Sequence, residues 1–191
     1  MTLTFLVGGA RSGKSALAVA LAADAGEGGP VWVVVTAEAG DDEMVERIAR
    51  HRAERPHHWS TIEAPRSLDD AAAAIDSAAP SAVVLVDCLS FWVANRVMAG
   101  DCAADIEADA RRAAQWAAAR DGLVIAVSNE VGSGIVPDNA LARTFRDCLG
   151  RINAIWSTSA LRAYLVVAGR ALALADATTV IDAQREQTSA R

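Results

Sequence analysis

The stretch Gly8–Ser15, "GGARSGKS", decides the fold. It matches the spacing G-x-x-x-x-G-K-[ST]. It lies directly after the apolar run "TLTFLV" (Thr2–Val7) and before an alanine-rich helical pattern, Lys14–Ala25. Strand, glycine-rich turn and helix in that order form a phosphate cradle. Backbone N–H groups and the helix N-terminus surround the anion, Lys14 reaches the outer phosphates, and the Ser15 hydroxyl can ligate Mg2+. A nucleotide phosphate site is therefore expected, but its use is not yet specified.

Working outward, further β-branched runs recur at Val31–Thr36, Ala82–Asp87, Leu123–Ser128 and Ala163–Gly169, with a weaker one at Trp59–Ala64. Most are continuously apolar, the pattern of parallel strands buried on both faces. Helical patterns at Asp41–Glu54, Leu68–Ala78, Ala103–Arg120 and Asn139–Leu161 separate them. This alternation predicts an α/β domain with helices flanking a mostly parallel sheet. Asp87 ends the run "AVVLVD", where a P-loop NTPase places a metal-holding carboxylate. An ordinary strand-terminating aspartate is the alternative. A single domain over 1–181 is expected, with a polar tail at 182–191.

Composition narrows the partners. The 191 residues are 52% hydrophobic and carry a net charge of −6, which gives no general attraction to nucleic acid or to anionic membrane. An anionic ligand therefore needs a local cationic cluster. The three cysteines, Cys88, Cys102 and Cys148, form no CxxC pair. No apolar run reaches the roughly 18–20 residues of a membrane span, and the N-terminus lacks the order of a signal peptide. These features predict a cytoplasmic protein with reduced thiols.

All three histidines fall in "RIARHRAERPHHW", Arg47–Trp59. "DDEM" at Asp41–Met44 reads as a helix start, and Pro56 stops the helix. Within it Met44, Ile48, His51 and Arg55 share a face, with Arg47 one turn before His51. Three readings stand at this point. A metal site would need His57 and His58 to converge with His51 across the proline. A solvated basic helix is the bland reading. The third makes His51 a nucleophile on phosphorus, with nearby arginines neutralising phosphate charge and disfavouring the protonated ring. His57 and His58 are expected to be structural or surface residues.

With these segments in view, the chain resembles the bifunctional adenosylcobinamide kinase/adenosylcobinamide-phosphate guanylyltransferase family of cobalamin biosynthesis. The likeness runs through "GGARSGKS", "DDEMVERIARHRAERPHHW", "VDCLSFWVAN" and "VSNEVGSGIVPDNALARTFRDCLGRIN". The P-loop alone is common, whereas the ordered combination is highly specific. The resemblance implies a RecA-like P-loop NTPase fold and two reactions. In the first, ATP or GTP phosphorylates the aminopropanol hydroxyl of adenosylcobinamide. In the second, GTP gives GMP to a histidine with loss of pyrophosphate, and GMP passes to adenosylcobinamide phosphate. The product is adenosylcobinamide-GDP.

Carried over by the same resemblance, the guanylylated histidine falls on His51. Nucleotide contacts fall on Gly8, Gly9, Ala10, Arg11, Ser12, Gly13, Lys14 and Ser15; on Val35, Thr36 and Ala37; on Arg52, Ala53, Glu54 and Arg55; and on Glu63 and Asp87. Lys14 is expected to stabilise the transferring phosphoryl group, and Mg2+ to sit between Ser15 and Asp87. The resemblance also implies a homo-oligomer, commonly a trimer. Asn129 and Glu130 follow a strand at the edge where α/β proteins place ligands, and Arg143 and Arg146 are candidate phosphate contacts. Simple loop and helix surface is the other reading of that segment.

Two departures stand out: Ala154 follows Asn153 where the family often has Asn-Gln, and "CLSFW" replaces "CLTLW". Three rivals remain: a small-molecule kinase without guanylyl transfer, a GTP-binding regulatory protein, and a nucleic-acid ATPase. The negative charge disfavours the last.

Overall fold

The computed structural model describes residues 2–38, 40, 42–53 and 55–189. The side chains of Asp42, Glu43, Met44, Arg47, Ile48, Arg50, Asp182, Ala183 and residues 186–189 lie outside that description. In chain order the elements are β1 (Leu3–Gly8), α1 (Lys14–Gly26), β2 (Val31–Val35), α2 (Asp42–Ala53), β3 (Ser60–Glu63), α3 (Leu68–Ala78) and β4 (Val83–Asp87). They continue with α4 (Leu89–Met98), α5 (Ala103–Ala119), β5 (Val124–Asn129), α6 (Ala140–Ser159), β6 (Arg162–Val167), β7 (Arg170–Ala173) and α7 (Ala177–Ser189).

The strands form one sheet in the order β3-β2-β4-β5-β1-β6-β7. Every described pair is parallel except β6–β7. The chain thus has the expected fold class, a P-loop opening a mostly parallel sheet flanked by helices, with an antiparallel edge strand added.

The unbroken apolar runs have a direct cause. Val84 and Val86 of β4 point into a core built with α3, α4, α5 and α6, whereas Val83 and Leu85 point into a second core with α1. In β5, Val124 and Ala126 alternate in the same way with Ile125 and Val127. Both faces are buried, so polar alternation is lost while the period-2 geometry remains. Small residues Ala18 and Ala22 let α1 lie close on its face.

The other helices obey ordinary end rules. Ser67 caps α3, its hydroxyl accepting from the Asp70 N–H, and Asn139 caps α6 through the Ala142 N–H. α4 and β7 were not foreseen. In α4, Leu89, Ser90, Trp92, Val93 and Val97 are all buried, so the helix offers little of the amphipathic signal that periodicity detects. β7 is four exposed residues, "RALA", joined to β6 by a tight turn through Ala168 and Gly169. α7 runs through Ser189, past residue 182 where the sequence reading begins a polar tail. Among the described residues, no helix is long and apolar enough to cross a membrane.

Because β1 to β5 are parallel, their C-terminal residues collect along one edge of the sheet. Gly8 pairs with Asn129, and Val35 lies between Glu63 and Asp87. This is the edge at which open α/β sheets hold ligands.

Candidate active site

Between β1 and α1 the backbone makes the turn that the motif requires. Gly13, at the N-cap of α1, has φ +97°, which an L side chain rarely adopts, and the Ser12 N–H donates to the Gly9 carbonyl at 3.3 Å. Lys14 is 8% exposed and its Nζ donates to the Gly9 carbonyl at 3.1 Å, so the ammonium is folded over the loop. The β6–β7 turn backs this loop, the Gly169 N–H donating to the Ser12 carbonyl at 2.8 Å.

Above the strand ends lies an open cavity, at the sheet edge where ligands of α/β proteins bind. Lys14, Ser15, Val35, Ala37, His51, Arg52, Arg55, Glu63 and Asp87 line it, all of them site candidates from the sequence. His51, on the last turn of α2, is half-buried there. Arg55 arrives from the turn after α2, not from the helical face that the sequence suggested. Its Nη2 donates to Asp87 Oδ2 at 2.8 Å, and the two side chains are 8% and 14% exposed. The face shared by Met44, Arg47 and Ile48, and the Asp41 and Glu54 positions, lie outside the described residues.

Other candidates are near but not in the wall. Gly8 to Gly13 form the loop behind Lys14, and Ala53 is exposed. Thr36 is fully buried: its Oγ1 donates to the Cys88 carbonyl at 2.6 Å and accepts from the Cys88 N–H at 3.0 Å. His57 and His58 are exposed and do not line the cavity. Among the described residues, no group of three or more His, Cys, Asp or Glu side chains converges as a metal site. Arg143 donates to the Pro137 and Asp138 carbonyls and Arg146 pairs with Asp147, so neither reaches the cavity wall.

Thr61, Cys88, Phe91 and Asn129 also line the cavity. Thr61 was missed, although the strand face it shares with Glu63 at period 2 carried a signal for it. Cys88 and Phe91 follow β4 and belong to the start of α4, which the sequence did not reveal. Asn129 is held from both sides. Its Nδ2 donates to Ser90 Oγ at 3.1 Å, and its carbonyl accepts from Asn153 Nδ2 at 2.9 Å. Asn153 Oδ1 in turn accepts from Ser128 Oγ at 2.6 Å. The Asn153 side chain therefore faces inward and braces β5, while the following Ala154 lies in a shallow groove between α5 and α6.

The chemistry of this wall is specific. Three cationic groups, Lys14, Arg52 and Arg55, supply positive charge to the cavity of an acidic protein, and His51 brings an imidazole, a side chain whose chemistry includes attack on phosphorus, to the same wall. Burial, and then the charge of Asp87, pushes the Cys88 thiol up, so it stays protonated and is no competing nucleophile. Ser15 and Asp87 bring a hydroxyl and a carboxylate to the same cavity, hard oxygen donors that suit Mg2+.

Residues 4–174 match the family described as cobinamide kinase / cobinamide phosphate guanyltransferase. The chain is 40% identical over 164 residues to the bifunctional adenosylcobalamin biosynthesis protein CobP of Pseudomonas aeruginosa, covering 86% of this chain and 92% of that one. It is 37% identical over 179 residues to the bifunctional adenosylcobalamin biosynthesis protein CobU of Escherichia coli K12, with coverage of 87% and 96%. To the Salmonella typhimurium protein of the same name it is 39% identical over 180 residues, again covering 87% and 96%.

Proposed function

The chain belongs to the cobinamide kinase / cobinamide phosphate guanyltransferase family, and on that premise we propose how one cavity serves two successive transfers. It phosphorylates cobinamide and then joins GMP to the cobinamide phosphate. The adenosylated corrinoid is the form named by the relatives' pathway, and we take it as the substrate here.

In the first transfer the hydroxyl oxygen of the corrinoid attacks the γ-phosphorus of ATP or GTP. A P–O bond forms to the corrinoid, the Pγ–O–Pβ bond breaks, a nucleoside diphosphate leaves, and the hydroxyl proton passes to solvent. Gly8 to Gly13 hold the phosphates by backbone N–H groups, and Lys14 neutralises charge on the outer ones. Mg2+ held by Ser15 and Asp87 would neutralise and orient phosphate oxygens.

In the second, an imidazole nitrogen of His51 attacks the α-phosphorus of GTP. An N–P bond forms, the Pα–O–Pβ bond breaks, and pyrophosphate leaves. A phosphate oxygen of cobinamide phosphate then attacks the same phosphorus and breaks the N–P bond, regenerating His51. Arg52 and Arg55 face the phosphates, with Val35, Ala37 and Glu63 completing the nucleotide wall. A cytoplasmic homo-oligomer is the expected form.

The observation that carries this reading is the presence of His51 in the cavity that Lys14 and Ser15 also line. A kinase lacking guanylyl transfer has no use for an imidazole there. The test supplies cobinamide with GTP labelled at either the γ- or the α-phosphate. Label from the γ-position should enter the monophosphorylated corrinoid first, and label from the α-position should enter only the later product. Corrinoid that takes up neither label sinks the reading.

A further inference from the structure

The Arg55–Asp87 ion pair joins two differently anchored parts of the molecule. Asp87 ends β4, in the interior of the sheet, and the strand residues before it belong to the two cores. Arg55 follows α2. Of the described α2 side chains, Val45, Glu46, Ala49, Arg52 and Ala53 are exposed and His51 is half-buried. None of these belongs to either core. The Arg55 N–H donates to the Arg52 carbonyl at 3.3 Å, so a tight turn connects the guanidinium to the last turn of the helix. The pair itself, with Nη2 and Oδ2 2.8 Å apart and both side chains largely sheltered, is weakly screened by salt.

We propose that the Arg55–Asp87 pair is a latch that sets His51 at the cavity wall, making Arg55 a positioning residue for the covalent step. This rests on the reading of His51 as the nucleophile. It goes further by assigning Arg55 a task that phosphate contact does not require. In-line attack at phosphorus tolerates little misplacement of the attacking nitrogen. A charged, directional hydrogen bond to the sheet gives that nitrogen a restraint that the exposed side chains described for α2 do not supply. Asp87 then has a structural partner before any nucleotide enters.

Two measurements test the latch. The first is hydrogen exchange of the α2 amides in protein free of metal and nucleotide, comparing wild type with Arg55→Gln, Arg55→Lys and Asp87→Asn. Arg55→Gln and Asp87→Asn should both exchange faster in α2, with Arg55→Lys between them and wild type. The second is the rate of histidine labelling from α-labelled GTP. In Arg55→Gln the rate at saturating GTP should fall roughly tenfold or more, with partial recovery in Arg55→Lys. Unchanged α2 exchange in the folded variants overturns the latch. So does a labelling defect that disappears at saturating GTP, because that is the signature of a phosphate contact alone. If wild type takes no label, the transferase reading fails, while the exchange experiment still decides the latch.

Discussion

His51 and Lys14 stand in the wall of one cavity, the first carried near the end of α2 and the second in the opening turn of α1. One group is suited to attack phosphorus and the other to hold the charge that develops on its oxygens. On the reading proposed above, their meeting turns a P-loop, a feature shared by many unrelated proteins, into a site for covalent nucleotidyl transfer.

On the proposed reading Lys14 serves both transfers, so its loss should affect both. Lys14→Ala is expected to lower kcat for corrinoid phosphorylation and for histidine labelling by roughly 10²- to 10³-fold. Parallel steady-state and single-turnover assays check this. A defect confined to one reaction would place the two nucleotides in different sites.

Gly8 tests the phosphate loop from behind. A Cβ at this position would lie 2.3 Å from the Val166 carbonyl oxygen and 2.9 Å from Ser12 Oγ. The first obstacle is backbone of the paired strand β6 and cannot step aside. Gly8→Ala should therefore destabilise the fold by about 1–3 kcal/mol and weaken nucleotide binding. Urea unfolding and nucleotide titration measure the two effects.

Asn153 links α6 to the end of β5 through Ser128 and Asn129. Asn153→Ala leaves the buried Ser128 hydroxyl and the Asn129 carbonyl without this partner, an expected cost of about 1–3 kcal/mol. Because Asn129 lines the cavity, kcat should fall as well. Ala154→Gln, on the α5–α6 groove, should leave both quantities unchanged.

A pH effect is expected away from the site. Burial works against ionisation of Asp109, but hydrogen bonds and charge from Arg96 and Arg112 outweigh it and hold the carboxyl below the usual range. The folded pKa is depressed, so the stabilisation is present above the unfolded pKa of about 3.9 and is lost as pH falls through the folded value. Asp109→Asn should be less stable than wild type by about 1 kcal/mol or less at pH 7. That gap should close at acid pH, as measured by thermal melts across the range.

Much of this was legible in the sequence, for physical reasons. Strands buried on both faces leave continuous apolar runs, and the phosphate loop has a spacing few other structures need. The segment Leu68–Ala78 was read to the residue, and in the structure Ser67 caps its start. What was hidden lacks such signals. α4 is buried around most of its surface, so its Phe91 could not be placed in the cavity. Asn129 was placed at the ligand-holding edge, but its position beside Gly8 comes from a long-range strand pairing that the sequence does not show. Arg55 pairs with Asp87 from a turn, where helical periodicity gives no direction.

The central claim is that His51 carries GMP through a covalent bond. Protein incubated with GTP and Mg2+, without corrinoid, should gain the mass of one GMP per chain, and peptide mapping should place it on His51. Subsequent cobinamide phosphate should discharge it into the corrinoid. An unmodified chain that still converts cobinamide phosphate to the GDP adduct, or an adduct on any other residue, would contradict the claim.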